Sequence, residues 1–143
     1  MKVKDLMSRR LFALPDSATA EAAARLMSKE NIGLLPVLSK GRLAGVVTDR
    51  DIMTRCVAAA RAPGETALCE IMTRKVVYSR PEETVMEASR QMARHRVRRL
   101  PVCRGDTVVG VLSLGDLARR EDTSFEAAMA ICEISLPNDA SSG

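Results

Sequence analysis

One segment of this chain occurs twice, and the two copies align without a gap. Met7-Ser8-Arg9 corresponds to Met72-Thr73-Arg74, Leu35-Pro36-Val37 to Leu100-Pro101-Val102, and Gly45-Val46-Val47-Thr48 to Gly110-Val111-Leu112-Ser113. Asp51 corresponds to Asp116, and every pair is separated by the same 65 positions. A period this long with no slippage denotes two copies of one structural unit, neither of which buries enough apolar surface alone. Chemistry at a repeated position then comes twice, about an approximate two-fold axis.

With 143 residues the chain is one ordinary domain, or two half-size units sharing a core. Hydrophobic residues make up 46%, enough for that core, but aromatics only 2%, so the interior must be aliphatic. The same scarcity argues against base-stacking platforms for single-stranded nucleic acid. The net charge of +4 is spread too evenly to mark a nucleic-acid arm. One local excess stands out, Arg94-His95-Arg96-Val97-Arg98-Arg99. It reads either as a solvated helix end or as an anion site.

Cys56, Cys69, Cys103 and Cys132 are widely spaced, and His95 is the one histidine, so neither a zinc site nor a Cys–His catalytic pair is expected. The opening MKVKDLMSRR has no apolar signal core, and no run of 18 apolar residues occurs. Reduced thiols and no export signal favour the cytoplasm, with no membrane partner.

Each copy reads as β-α-β-β-α. Residues 3–8 and 68–73 suggest a short helical turn, followed by an extended piece at Leu11–Ala13 or Val76–Tyr78. A helix is predicted from Thr19 to Glu30, with Ala22, Ala23, Leu26 and Met27 on one face. Its counterpart runs from Thr84 to His95 with Val85, Ala88 and Met92 inward, and Glu87 three residues after Thr84 suggests a capping box. Strands follow at Leu34–Leu38 and Leu43–Thr48, and at Leu100–Cys103 and Val108–Ser113, joined by tight-turn residues. Second helices are expected over Asp49–Ala60 and Leu114–Arg120. The first unit therefore spans 1–60 and the second 68–120, with a Pro-Gly linker at 61–67. Residues 121–143 would give a short helix over Asp122–Glu133, capped by Thr123 or Ser124, and a disordered polar tail. The fold class is α/β (α+β), with small mixed sheets packed by helices.

The motif with chemical content is Thr48-x-x-Asp51, repeated as Ser113-x-x-Asp116. Each sets a hydroxyl at a strand-to-helix junction and a carboxylate three residues later. One reading is structural, an N-terminal capping box. The other is functional: a helix start with a hydroxyl attracts phosphate, and an ionised carboxylate accepts both hydrogen bonds of a ribose diol.

Together, the repeat, "IGLLPV" and "VRRLPV" before the hairpins, and "GVVTDRD" and "GVLSLGD" after them resemble a pair of CBS domains, a free-standing Bateman module, over residues 1–120. The resemblance implies two adenosyl-ligand sites in a cleft between the copies, with Asp51 and Asp116 holding ribose hydroxyls and Thr48 and Ser113 near phosphate. It further implies one site joining Ser113 and Asp116 to Ser8, Ile32 and Gly33, and another joining Thr48 and Asp51 to Thr73, Val97 and Arg98. Arg98 and Arg99 would face phosphates, while Gly33 and Leu34 stand at those places in the first copy, so the sites should differ in strength.

The function expected is a sensor of an adenosyl ligand (AMP, ADP, ATP, S-adenosylmethionine or an NAD-type dinucleotide) that signals by shape change to an unidentified effector protein. No catalytic residues, metal or cofactor are expected, the adenine nucleotide being a regulatory ligand. A homodimer is expected through the Ala-rich helix faces at Ala20, Ala22, Ala23 and Ala24 and at Ala58, Ala59 and Ala60, although these alanines could instead pack internally. The alternative is a nucleic-acid-binding or protein-interaction module using Arg94–Arg99; an enzyme of another kind ranks below both.

Overall fold

The computed structural model describes residues 1–135. In the first copy, α1 (Val3–Leu6) starts where Lys2 donates its N–H to Asp5 Oδ2 at 2.9 Å. The extended piece lies later than the sequence suggests: β1 is Leu14–Pro15, parallel to β2 (Leu34–Ser39) through Leu14↔Val37. Pro15 can sit at this sheet edge because a proline has no N–H to leave unpaired. Between them, α2 (Ala20–Glu30) opens with the Thr19 hydroxyl accepting from Ala22 N at 3.1 Å. Its buried face is Ala20, Ala23 and Met27, with Leu26 half-buried; Ala22, expected inside, is exposed. β3 (Arg42–Thr48) returns antiparallel through a Lys40-Gly41 turn whose φ values, 52° and 77°, suit a tight hairpin.

The next helix departs from expectation. α3 is only Asp49–Ile52, and Met53–Val57 continues as a π-helix. Ala58 N bonds Met53 O and Arg61 N bonds Cys56 O, both five residues back. The Thr54 hydroxyl donates to Arg50 O at 2.8 Å, a back-bond that disturbs a regular helical ladder. Ala60, at φ 58°, ends the segment, and Pro63–Glu65 forms a 3-10 turn.

The second copy repeats the pattern. α4 (Leu68–Ile71) starts with Ala67 donating to Glu70 Oε2 at 2.8 Å, and α5 (Val85–His95) with Thr84 accepting from Glu87 N at 3.1 Å. Val85, Ala88 and Met92 are buried as expected. Its extended piece is the single residue Ser79, paired parallel with Val102. β4 (Arg99–Arg104) and β5 (Thr107–Ser113) form a two-stranded sheet, and α6 is Leu114–Ala118. After a 3-10 turn at Glu121–Thr123, α7 covers Ser124–Ser135. Thr123 does not cap it: its hydroxyl, buried, donates to Leu117 O at 2.7 Å. The expected polar tail covers 135–143; Ser135 instead ends α7, and residues 136–143 lie outside the described residues.

The chain divides into two compact units, and they do not follow the copies. One unit joins Met1–Arg10 to Val77–Arg104 and the residues from Val109 onward; the other holds Leu11–Val76 with Gly105–Val108. The first segment of each copy has thus changed places. In the second-copy unit, Val3 and Met7 share a core with Leu100, Val102, Leu112 and Leu117. In the first-copy unit, Leu68, Ile71 and Met72 pack with Leu35, Val37 and Val47. Ser8 pairs with Val111 through two backbone bonds of 2.9 and 3.0 Å, and Thr73 pairs with Val46 through bonds of 2.8 and 3.0 Å.

This exchange explains the glycine of each Gly-Val motif. A Cβ on Gly45 would lie 2.7 Å from Thr73 O and 2.9 Å from Met72 Sδ. On Gly110 it would lie 2.6 Å from Met7 Sδ and 2.9 Å from Ser8 O. Only a residue without a side chain lets the exchanged segment lie this close.

Candidate functional site

Both hydroxyl–carboxylate motifs close into the same reciprocal turn. Thr48 N donates to Asp51 Oδ2 at 3.0 Å, and Asp51 N donates to Thr48 Oγ1 at 3.1 Å. Ser113 N donates to Asp116 Oδ2 at 2.8 Å, and Asp116 N to Ser113 Oγ at 3.1 Å. The capping reading therefore holds for both. It does not use up the chemistry. Each hydroxyl serves as an acceptor and keeps its O–H to donate, while each carboxylate commits Oδ2 to the cap and leaves Oδ1 outside it. The two carboxylates are partly exposed, at 14% for Asp51 and 17% for Asp116.

The backbone sets a neighbour beside each turn. Asp49 N bonds Gly33 O at 3.1 Å, and Leu114 N bonds Arg98 O at 3.0 Å. Gly33 therefore belongs beside Thr48, and Arg98 beside Ser113, because the strand entering each hairpin begins where the leaving strand ends (Leu34↔Thr48). Ser8 reaches the Ser113 side through Val111, and Thr73 the Thr48 side through Val46. Arg98 is exposed and Arg99 half-buried in β4, whereas Gly33 and Leu34 are buried, so the charge difference between the copies stands at equivalent places.

Ile32 and Val97 have a structural task. Asn31 and Arg96 adopt left-handed backbone (φ 54° and 55°), and Ile32 N and Val97 N each bond the carbonyl five residues back, Met27 and Met92, at 3.0 Å. These are Schellman closures, with the apolar residue folding back on the helix end. Both side chains pack against their unit's core.

Two arginines outside the repeated motifs reach these carboxylates. Arg119 Nη2 bonds Asp116 Oδ1 at 3.0 Å, while its Nε bonds Gly115 O at 3.0 Å. Arg55 is tied to Ile71 O (3.0 Å) and Thr73 Oγ1 (3.2 Å), and its Nε stands 3.8 Å from Asp51 Oδ1. Their spacings of three and four residues from the acids are those at which helical side chains meet, and that signal was available. Of the alanines considered for association, Ala20 and Ala23 are buried internally; Ala22, Ala24 and Ala58–Ala60 are exposed. Among the described residues no cluster of His, Cys, Asp and Glu suits a metal ion, and no helix is long and apolar enough to cross a membrane.

Comparison with known proteins agrees with this architecture. The family model described as CBS domain matches residues 3–58 and 68–130. The CBS domain-containing protein YhcV of Bacillus subtilis is 38% identical over 136 residues, covering 95% of this chain and 96% of that protein. A putative signal-transduction protein with CBS domains from Burkholderia ambifaria superposes with a TM-score of 0.78 at 32% identity, over 83% of this chain and 92% of that one. The CBS domain pair of protein MJ0100, solved in complex with 5′-methylthioadenosine and S-adenosyl-L-methionine, gives 0.76 at 28% identity over 83% and 94%.

Proposed function

Because the chain belongs to the CBS domain family as a tandem pair, a kind of regulatory module, we propose that it binds an adenosyl ligand at the Thr48–Asp51 and Ser113–Asp116 turns. The observation carrying this reading is the division of labour within each carboxylate: Oδ2 fixes the turn, and Oδ1 stays outside the cap, 3.8 Å from Arg55 Nε at Asp51 and bonded by the exposed Arg119 at Asp116, where an outside donor can engage it. A ribose diol supplies such donors, and the hydroxyl of Thr48 or Ser113 can donate to a ribose or phosphate oxygen. Arg98 and Arg99 add positive charge on the Ser113 side, where their counterparts Gly33 and Leu34 add none on the Thr48 side, so an anionic ligand should bind more tightly there. The solved relative with two adenosyl compounds bound supports the ligand class.

Regulation follows by linkage. The ligand shifts the protein only by its differential affinity for two states, and the altered state is read by an effector protein. The protein acts in the cytoplasm as a homodimer and performs no catalysis of its own. The exposed run Arg94, His95, Arg96 and Arg98 supports a second reading, binding of nucleic acid. That binding would weaken steeply with salt and would not need Asp51 or Asp116.

The test is a thermal-shift panel with AMP, ADP, ATP, S-adenosylmethionine and NAD on the parent, Asp51→Asn and Asp116→Asn. Asparagine retains the oxygen that accepts the cap bond, so these variants remove the outward acceptor while sparing the turn. A ligand at 100 times its dissociation constant stabilises by about 2.7 kcal/mol. No shift with any ligand, or parent-like shifts in both variants, ends the adenosyl reading.

A further inference from the structure

The two turns differ in what covers their outward oxygen. Asp116 Oδ1 is held by a hydrogen-bonded Arg119 at 3.0 Å, whereas Asp51 Oδ1 has only the Arg55 Nε at 3.8 Å, beyond hydrogen-bond reach. The cause is a local difference between the copies. Thr54 and Arg119 are equivalent positions, and both bond the carbonyl four residues back, Arg50 O and Gly115 O. A threonine ends there. An arginine making the same bond through Nε has a second nitrogen left, and Nη2 reaches the carboxylate. Gly115 keeps the way open, since a Cβ there would stand 3.2 Å from Arg119 Nη2.

Arg119 is also the less tethered of the two arginines. Its side-chain bonds stay within its own turn, to Gly115 and Asp116, and its side chain is 72% exposed. Arg55 is anchored to Ile71 and Thr73 in a different segment.

We propose that Arg119 is a displaceable internal counter-ion, which makes the Ser113–Asp116 site select adenosyl ligands that carry an anionic group. The proposal rests on the adenosyl reading above. A ribose reaching Asp116 Oδ1 has to share that oxygen with the guanidinium or push it aside. A plain nucleoside gives the released arginine nothing in return. A phosphate offers it oxygens matched to its fork, beside the positive charge of Arg98.

The experiment is calorimetric titration of adenosine and AMP into full-length Asp51→Asn, which leaves one intact site, with and without Arg119→Gln. An exposed ion pair of this kind sets the scale, so Arg119→Gln should tighten adenosine about two- to fivefold. The same change should weaken AMP by at least about fivefold, through loss of a charge-assisted bond. Arg25→Gln, which breaks the exposed Arg25–Glu21 pair away from both turns, should change neither. Adenosine unchanged or weaker in Arg119→Gln, at an unaltered melting temperature, would overturn the counter-ion role even if AMP binding fell. AMP binding unaffected by Arg119→Gln would overturn it equally. If neither ligand binds the parent, the adenosyl reading itself fails and takes this proposal with it.

Discussion

Gly110→Ala should be among the most damaging single-atom-group changes in this chain, although it adds only a methyl group. The new Cβ would stand 2.6 Å from Met7 Sδ, 3.0 Å from Met7 Cγ and 2.9 Å from Ser8 O. The methionine can swing away in part. The carbonyl cannot, because Ser8 is fixed to Val111 by two backbone bonds of 2.9 and 3.0 Å. Overpacking a filled position costs about 1–3 kcal/mol, and each backbone bond given up to relieve it costs about 1 kcal/mol more. The total expected is about 2–4 kcal/mol. For a chain of this size that lowers the melting temperature by about 6–14 °C. The assay is a thermal melt by calorimetry, with Gly105→Ala alongside. Gly105 sits at φ 59° with nothing within 4 Å of its Cβ, so alanine there meets backbone strain of about 1 kcal/mol and no clash. Met7→Ala should be less costly in the Gly110→Ala background than in the parent, since it removes two of the three close contacts. If Gly110→Ala melts no lower than Gly105→Ala, the close seating of the chain's first segment against β5 is refuted.

Three further outcomes follow from burial. Burial raises the Cys103 thiol from its usual 9.0 to about 11, while Cys132 is exposed. Iodoacetamide at mildly alkaline pH should label Cys132 in the native protein and Cys103 only after denaturation; equal labelling rates by peptide mass spectrometry would contradict this. By the same shift, the stability contributed by keeping Cys103 protonated is intact below about pH 9 and is lost as pH rises toward about 11. Thr123→Val should lower the urea midpoint by an amount equivalent to about 1–3 kcal/mol, because the buried hydroxyl that donates to Leu117 O disappears. Thr123→Ser, which keeps the donor, should recover most of the loss.

Element type was legible wherever the signal is local. Thr19 and Thr84 mark their helix starts, and Val85, Ala88 and Met92 mark a face, because capping and periodicity act within a few residues. Lys40-Gly41 and Gly105-Asp106 likewise announce their hairpins. The β1 contact was placed too early because two residues of pairing leave little pattern and take their register from Val37 and Leu38. The π-helix at Met53–Val57 was missed because its sequence is ordinary helix former until Thr54 bonds back to Arg50. At the candidate site, the four residues Thr48, Asp51, Ser113 and Asp116 were readable from their spacing alone. The Arg119–Asp116 contact is allowed by its three-residue spacing but not specified by it.

The sequence by itself determined that one unit is used twice, which elements it contains, and that each copy carries a hydroxyl and a carboxylate at one strand-to-helix junction. Those facts are written in periods, caps and offsets. Only the tertiary structure decided which pieces live together: residues 1–10 with the second copy, and Leu68–Thr73 with the first. Either arrangement preserves every local preference, since the exchanged segments Met7-Ser8 and Met72-Thr73 are near-equivalents. The choice is made by non-local contacts, Ser8 with Val111 and Thr73 with Val46, across glycines whose purpose is invisible until the neighbouring backbone is seen. Bonds within each copy, Leu114 N to Arg98 O and Asp49 N to Gly33 O, set Arg98 beside the Ser113 turn and Gly33 beside the Thr48 turn.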